Sequence, residues 1–269
     1  MLRLKLYCAL ICLFLGACQT QTKVEEEPVV DLQEAYANPA AEGFNDAGSD
    51  QKAVEVADLV MNAMGGRQAW DDTRYLAWDF FGYRRLIWDK IDGNVRIDFP
   101  DSSVYLYNVF SDSGAVWQQQ EQLTNADSLN KYLTRAKNIW INDSYWLVMP
   151  FKLKDSGVTL GYMDLQEAEN GAVSHVLQLT FAGVGVTPQN KYLVYVDTAT
   201  NLVNQWAYYR ESNQDSADFV RPWGNYKQMG KILLSDERGD SDLSEVHVFD
   251  SLPATVFNSF ESVDLSLYQ

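Results

Sequence analysis

The chain has 269 residues and a formal net charge of −16. This length suits one large domain or two small ones, and a strongly acidic surface repels phosphate backbones, so we expect no nucleic-acid partner. The three cysteines are Cys8, Cys12 and Cys18, so the folded part that follows them has no disulfide and no cysteine-bound metal.

The first 17 residues have the organisation of a secretory signal peptide. Arg3 and Lys5 precede an apolar run over residues 6–15, which is too short to span a bilayer as a helix. The residues that follow, Leu-Gly-Ala-Cys at 15–18, resemble the lipobox of bacterial lipoproteins. This resemblance implies cleavage before Cys18 and acyl chains attached to that residue. The alternative is an ordinary signal peptide with a chance cysteine.

Residues 18–50 are predicted to form a lipidated acidic tether. From Gln19 to Asp50 there are eight acidic residues and one lysine, with little apolar periodicity, as is typical of a solvated segment. The sequence therefore divides into a signal peptide over 1–17, the tether over 18–50 and a folded domain over 51–269.

Two amphipathic helices are predicted in the folded part. Apolar residues spaced three and four apart indicate a helix from Val54 to Met64, ended by Gly65-Gly66. A second helix is indicated from Asp127 to Trp140, with Asn125 and Asp127 as candidate N-caps.

The remaining sequence alternates short apolar strands with turn residues. Hairpins are indicated between residues 76 and 119, and strands resume at Val158 and continue to Phe249. About eleven strands result, with no βαβ rhythm. We therefore predict a mainly β (α+β) fold, in which a large curved antiparallel sheet, or half-barrel, has helices covering its concave side.

A set of apolar residues on adjacent hairpins and on the second helix is predicted to face this hollow. If they pack fully they form an ordinary core, and if they pack incompletely they line a pocket for an acyl chain. Each ligand methylene buried there would contribute roughly 0.8 kcal/mol. The candidate pocket residues are Trp78, Phe80, Leu86, Trp88, Ile97, Leu106, Leu133, Trp140, Trp146, Leu177, Leu179 and Phe181.

Over residues 52–250 the chain resembles the LolA/LolB lipoprotein-carrier-like superfamily. Its order of helix, hairpins, helical insertion and further hairpins is similar, as is the hairpin segment Lys191–Trp206. More narrowly, the segments Met64–Trp70, Trp140–Pro150 and Gly185–Asn190 resemble those of an uncharacterised bacterial lipoprotein family with that fold. The resemblance implies a LolA-like half-barrel that carries a hydrophobic ligand. Because LolA itself is free in the periplasm, a lipid anchor makes this chain more similar to LolB.

No nucleophile elbow, phosphate loop, dinucleotide fingerprint or paired-histidine metal motif is found. We therefore expect no catalytic residues, metal or cofactor, although a carboxylate pair brought together by folding remains open. The expected function is a monomeric, lipid-anchored envelope protein that binds or transfers a lipid or acyl chain. Its expected partners are the membrane, through the anchor on Cys18, and that ligand. The alternative is a non-enzymatic protein-interaction module of an envelope complex.

The residue after the lipidated cysteine indicates which membrane holds the anchor. Gln19 is not the aspartate that retains lipoproteins at the inner membrane of enteric bacteria. By that resemblance, the anchor is expected in the outer membrane.

Overall fold

The computed structural model describes residues 38–268. The predicted signal peptide, Cys18 and most of the predicted tether lie outside this part of the chain. The described residues have an α+β fold with antiparallel sheets. The four α-helices are α1 (Gln51–Ala63), α2 (Arg67–Asp72), α3 (Ala126–Val148) and α4 (Thr255–Asn258). Short 3-10 helices lie at Asp46–Gly48, Met149–Lys152 and Leu265–Tyr268.

Fourteen strands in the described residues form three sheets. The first sheet, in the order β14-β1-β2-β3-β4-β5-β6, contains β1 (Tyr75–Phe80), β2 (Arg84–Asp89), β3 (Asn94–Asp98), β4 (Val104–Asn108), β5 (Ser113–Gln118), β6 (Glu121–Gln122) and β14 (Leu243–Phe249). The second, in the order β11-β10-β9-β8-β7, contains β7 (Val158–Glu167), β8 (Val173–Phe181), β9 (Lys191–Asp197), β10 (Val203–Tyr209) and β11 (Phe219–Pro222). The third pairs β12 (Gly224–Met229) with β13 (Ile232–Glu237).

The antiparallel α+β class is confirmed, but the prediction of one continuous curved sheet of about eleven strands is corrected. Helix α3 separates the first sheet from the second, and the strand pairing of residues 38–268 shows no closed or curled sheet. Within the predicted run of strands, the segment from Phe219 to Met229 is divided at the buried residue Trp223 into β11 and β12, which belong to different sheets.

Both predicted helices form, but α3 continues past its predicted end at Trp140 to Val148. The start of α3 and the end of α1 follow the sequence signals. The side chain of Asn125 accepts a hydrogen bond from the amide of Ser128 at 3.0 Å, so Asn125 is the N-cap of α3. After α1 the backbone turns through Gly65 with a φ of +114°. A Cβ there would lie 2.4 Å from the carbonyl oxygen of Lys231, so only glycine fits this close approach.

Strand β1 of the first sheet buries residues on both of its faces. On β1, Leu76, Trp78 and Phe80 belong to the main core that the sheets share with α1 and α3. The alternate residues Tyr75 and Ala77 face the opposite side and pack into a second, smaller core. The end of the chain therefore covers the outer face of β1.

One predicted pocket residue, Leu106, lies on the opposite face of the sheet from the predicted one. Leu106 on β4 is directly opposite Arg96 on β3, whereas Tyr105 is opposite Ile97. Residues that are directly opposite in an antiparallel pair share a face. Tyr105 and Tyr107 therefore join Ile97 in the main core, and Leu106 lies on the other face.

The second core is held to the sheet by Arg96, which has no exposed area. Its guanidinium donates to three backbone carbonyls of the C-terminal segment, those of Val256, Ser259 and Glu261, at 3.1, 2.7 and 2.7 Å. Its Nε donates to Asp98 at 2.8 Å. One buried cation thus fixes the path of the C-terminal segment over the first sheet.

The ordered fold begins before residue 51. Within the range assigned to the tether, the amides of Ala41, Asn45 and Asp50 donate to the carbonyls of Lys154, Val158 and Leu160 at 2.9, 3.0 and 2.8 Å. Residues 41–50 therefore cover the first half of the edge strand β7.

We expect Arg96→Leu to destabilise the fold strongly. The change leaves three carbonyls without their donor, and each unpaired buried acceptor costs about 1–3 kcal/mol, so the loss is at least about 3 kcal/mol. The free energy of unfolding from urea denaturation measures it. The control is Arg85→Leu, because the Arg85–Asp79 pair is 34% and 25% exposed and such pairs contribute at most about 1 kcal/mol. An equal loss of unfolding free energy in both variants would contradict the role of Arg96 in holding the C-terminal segment.

Candidate functional site

A cavity of about 330 Å³ lies between the C-terminal half of α3, the turn that follows it and the loop between β8 and β9. This volume is at the lower end of the range of about 300–1,000 Å³ found for small-molecule sites. Most of the wall is aromatic or aliphatic, and a minority of lining side chains are polar.

Helix α3 supplies one wall through residues between Trp140 and Trp146. Trp140 and Ser144, and likewise Ile141 and Tyr145, are four residues apart and therefore project from the same side of the helix. Pro150, at the start of the next 3-10 helix, follows the end of α3 at Val148. The chain then turns to bring Lys152, Asp155 and Ser156 to the cavity.

Aromatic contacts fix the wall in place. The ring of Trp140 packs edge-on against Trp88 of β2 with centroids 5.4 Å apart. The ring of Tyr145 lies 5.5 Å from Tyr192 of β9 and 6.3 Å from Phe181 at the end of β8. Such pairs contribute about 0.5–1.5 kcal/mol beyond their burial, so the cavity is bounded by rings that support one another.

The loop of residues 182–190 closes the other side. Val184, Val186 and Thr187 line the cavity, and the loop is tied at its start by the amide of Ala182, which donates to the carbonyl of Gly157 at 2.9 Å. A Cβ on Gly157 would lie 2.6 Å from the Val184 side chain, so the glycine allows turn and loop to touch.

The end of this loop is tied by Asn190. Its side-chain amide donates to the carbonyl of Arg210 at 2.7 Å, and the residue is only 2% exposed. Between its two anchored ends the loop presents Val186, which is 46% exposed, at the opening.

Several polar atoms of the wall are buried without a partner. Among the described residues, Nε1 of Trp88, Nε1 of Trp140 and the hydroxyl of Tyr145 have no hydrogen-bond acceptor. Burial also raises the pKa of Tyr145 well above its ordinary value, so this phenol stays protonated. Leaving such donors unpaired costs about 1–3 kcal/mol each, so their burial is a cost of packing these rings closely.

Two arginines, Arg84 and Arg238, hold the helix that carries the site. Arg84 forms a two-point ion pair with Asp143 of α3, at 2.6 and 2.8 Å, and this carboxylate has no exposed area. Burial raises the pKa of Asp143, although hydrogen bonds and charge from Arg84 oppose the shift. Asp143 lies between Asn142 and Ser144, which both line the cavity.

Arg238 holds the same helix one turn further on. It donates twice to the backbone carbonyl of Trp146, at 3.2 and 2.7 Å, and its guanidinium lies 3.4 Å from the ring centroid of Trp223. Desolvation lowers the pKa of Arg238 to about 9. The backbone of α3 is thus fixed at the position where Trp146 meets the cavity.

The structure brings four of the twelve predicted pocket residues to this cavity, namely Trp88, Trp140, Trp146 and Phe181. The other eight do not line it and are buried elsewhere. Leu106 lies on the other face of the first sheet, as described above. The seven that pack in the main core are Trp78, Phe80, Leu86, Ile97, Leu133, Leu177 and Leu179.

Some of the lining residues that the sequence did not indicate come from irregular segments, and others lie on regular elements. Asp155 lies in a turn, Thr187 in a loop, and Tyr145 and Tyr192 on elements whose phase was not assigned to the hollow. A signal was present: two segments quoted for their resemblance to a lipoprotein family, Trp140–Pro150 and Gly185–Asn190, meet at this cavity.

Acid–base chemistry in the cavity would require carboxylates. Asp155 is the one carboxylate among the residues that line it. Among residues 38–268, no group of three or more histidine, cysteine, aspartate or glutamate side chains is placed to hold a metal ion. In the same part of the chain no helix has the length and apolar character needed to cross a membrane.

Comparison with known proteins gives weak similarities. No family profile and no curated protein matches the chain. A DUF1329 family protein from Desulfovibrio piger is similar in structure with a TM-score of 0.42 and 13% identity, over 81% of this chain and 99% of the other. A LolA superfamily protein from Nitrosomonas europaea has a TM-score of 0.35 and 12% identity, over 76% and 96%. These values do not establish a family, and the function is argued from the cavity itself.

We expect Arg84→Met to destabilise the protein by about 3–5 kcal/mol, because it leaves the Asp143 carboxylate buried and unpaired. Chemical denaturation measures the change. The double variant Arg84→Met/Asp143→Leu removes both charges and should recover most of the loss. If the double variant is no more stable than the single one, the cost does not come from the unpaired carboxylate.

Proposed function

We propose that this protein is a lipid-anchored cell-envelope protein that binds or transfers a hydrophobic ligand, a lipid or an acyl chain. The observation that carries the proposal is the aromatic cavity of about 330 Å³ beside α3. Its walls are built from Trp88, Trp140, Tyr145, Phe181 and Tyr192.

The energetics of such a cavity suit part of an acyl chain. A segment of ten methylenes would contribute about 8 kcal/mol on leaving water, which offsets the several kcal/mol that association costs. The opening beside Val186 gives a path for entry.

The anchor and location rest on the sequence. The lipobox-like residues ending at Cys18 support acylation, and an acidic segment separates Cys18 from Asn38, whose side chain donates to Asp58 at 2.8 Å. Several acyl chains hold a protein at a bilayer far more firmly than one. Gln19 follows Cys18 in place of the aspartate that retains lipoproteins at the inner membrane of enteric bacteria. The proposed location is therefore the outer membrane.

A second candidate function is favoured by the free edge of β7. Residues 41–50 cover its first half, but β7 is an edge strand and its second half carries the exposed residues Met163 and Leu165, beside Val173 of β8. An exposed apolar edge is a surface on which a partner can add a strand. This favours a protein-interaction module, which would yield one stoichiometric partner lost in Leu165→Asp.

We expect Val186→Trp to weaken ligand binding at least tenfold without destabilising the fold, because it fills the opening from an exposed loop. Displacement of a fluorescent acyl-ester from the Cys18→Ser protein measures the affinity, and thermal denaturation checks the fold. Val173→Trp is the matched control, since this valine is 52% exposed and does not line the cavity.

The cavity proposal is contradicted by either of two results. One is the absence of both bound ester and lipid co-purified with the protein, as judged by solvent extraction and mass spectrometry. The other is an equal loss of affinity in the Val186 and Val173 variants.

We expect Cys18→Ser to move the protein from the membrane fraction to the soluble envelope fraction, because no apolar span replaces the anchor in residues 38–268. Fractionation of cells expressing each form measures this, and mass spectrometry of the wild-type N-terminus detects the acyl chains. A wild-type protein without acyl chains on Cys18 would overturn the anchor.

A further inference from the structure

The charge of the cavity is set by one ion pair. Of the residues that line it, Lys152 and Asp155 are the two that carry charge. Their side chains form an ion pair three residues apart in the chain and remain 35% and 37% exposed. The pair therefore lies at the rim, where a ligand headgroup would rest while its chain enters the aromatic interior.

We propose that this pair makes the cavity select uncharged amphiphiles over ionic ones, so that Lys152 and Asp155 determine specificity. The inference rests on the proposed function and narrows its ligand class to neutral acyl compounds, such as esters, in preference to the fatty-acid anion.

The physical reason is that the charges of Lys152 and Asp155 compensate each other. Lys152 could attract a ligand carboxylate, but Asp155 already neutralises it and repels an anion at the same rim. A cationic headgroup would be attracted by Asp155 and repelled by Lys152. Since moving an ionised group out of water is costly unless it gains a partner, either ion loses hydration without a net gain. The protein's overall charge of −16 adds a further barrier to anions.

The other polar groups of the lining suit a neutral headgroup. Asn142, Ser144, Ser156 and Thr187 are uncharged hydrogen-bonding residues. An ester carbonyl accepts such bonds without bringing a charge that must be desolvated.

Nearby charges outside the lining do not change this balance. The Lys90 ammonium, whose pKa is lowered to about 8 mainly by burial and slightly by Lys152, lies 4.5 Å from the ring centroid of Trp70. Lys154 pairs with Asp58 rather than with the cavity. The headgroup is therefore met by Lys152 and Asp155.

The test compares three amphiphiles of equal chain length, dodecanoate, methyl dodecanoate and dodecylammonium, in competition with a bound acyl-ester fluorophore on the Cys18→Ser protein at pH 8. The wild-type cavity should bind the ester at least tenfold more tightly than either ion. Asp155→Asn should raise the affinity for dodecanoate about tenfold, and Lys152→Gln that for dodecylammonium, with the ester changed less than threefold.

Glu55→Gln is the matched control. The Lys52–Glu55 pair has the same spacing of three residues and lies on α1, away from the cavity. Its loss alters the net charge as Asp155→Asn does and should leave all three affinities unchanged.

Two results would overturn the inference in different ways. If the ester binds but Asp155→Asn leaves the ratio of anion to ester affinity unchanged, or if wild type already binds dodecanoate as tightly as the ester, only the role of the ion pair fails. If none of the three amphiphiles binds, the proposed function fails and the inference fails with it.

Discussion

The structure depends on how helix α3 is held. This helix inserts between two sheets, buries Leu133, Ala136 and Ile139 in the main core, and still leaves space beside Trp140 and Tyr145. Packing alone would draw such a helix inward until the space closed, because interiors approach the density of crystals. Arg84 and Arg238 oppose this, since each binds a fixed atom of the helix through directional hydrogen bonds.

This arrangement explains why the polar and the apolar parts of the site occur together. The buried carboxylate of Asp143 is stabilised only while Arg84 is in register with it, so the helix has little freedom to slide. The rings of Trp140 and Tyr145 are then presented at fixed positions to Trp88 and Tyr192. A cavity between rigid rings is retained without a ligand, and binding then requires little reorganisation.

The sequence predicted local structure better than the arrangement of sheets. The period of apolar residues located α1 and α3, and the cap at Asn125 was correct because capping depends on a few neighbouring atoms. The strand phase failed at Leu106, where two apolar faces made the alternation ambiguous. The pocket was predicted from regular strand and helix positions, whereas nearly half of the residues that line it lie in the turn around Asp155 and the loop around Thr187. Such positions carry no periodicity that could indicate them.

The pairing of β1 with β14 has a consequence for how the chain reaches its final form. Tyr75 is opposite Phe249 in this pair of strands, and Arg96 donates hydrogen bonds to the carbonyls of residues 256, 259 and 261. The first sheet is therefore incomplete until these late residues have emerged from the ribosome, and contacts so distant in sequence form slowly. The first sheet cannot therefore be completed by its N-terminal strands alone, and removal of the C-terminal residues would uncover the outer face of β1.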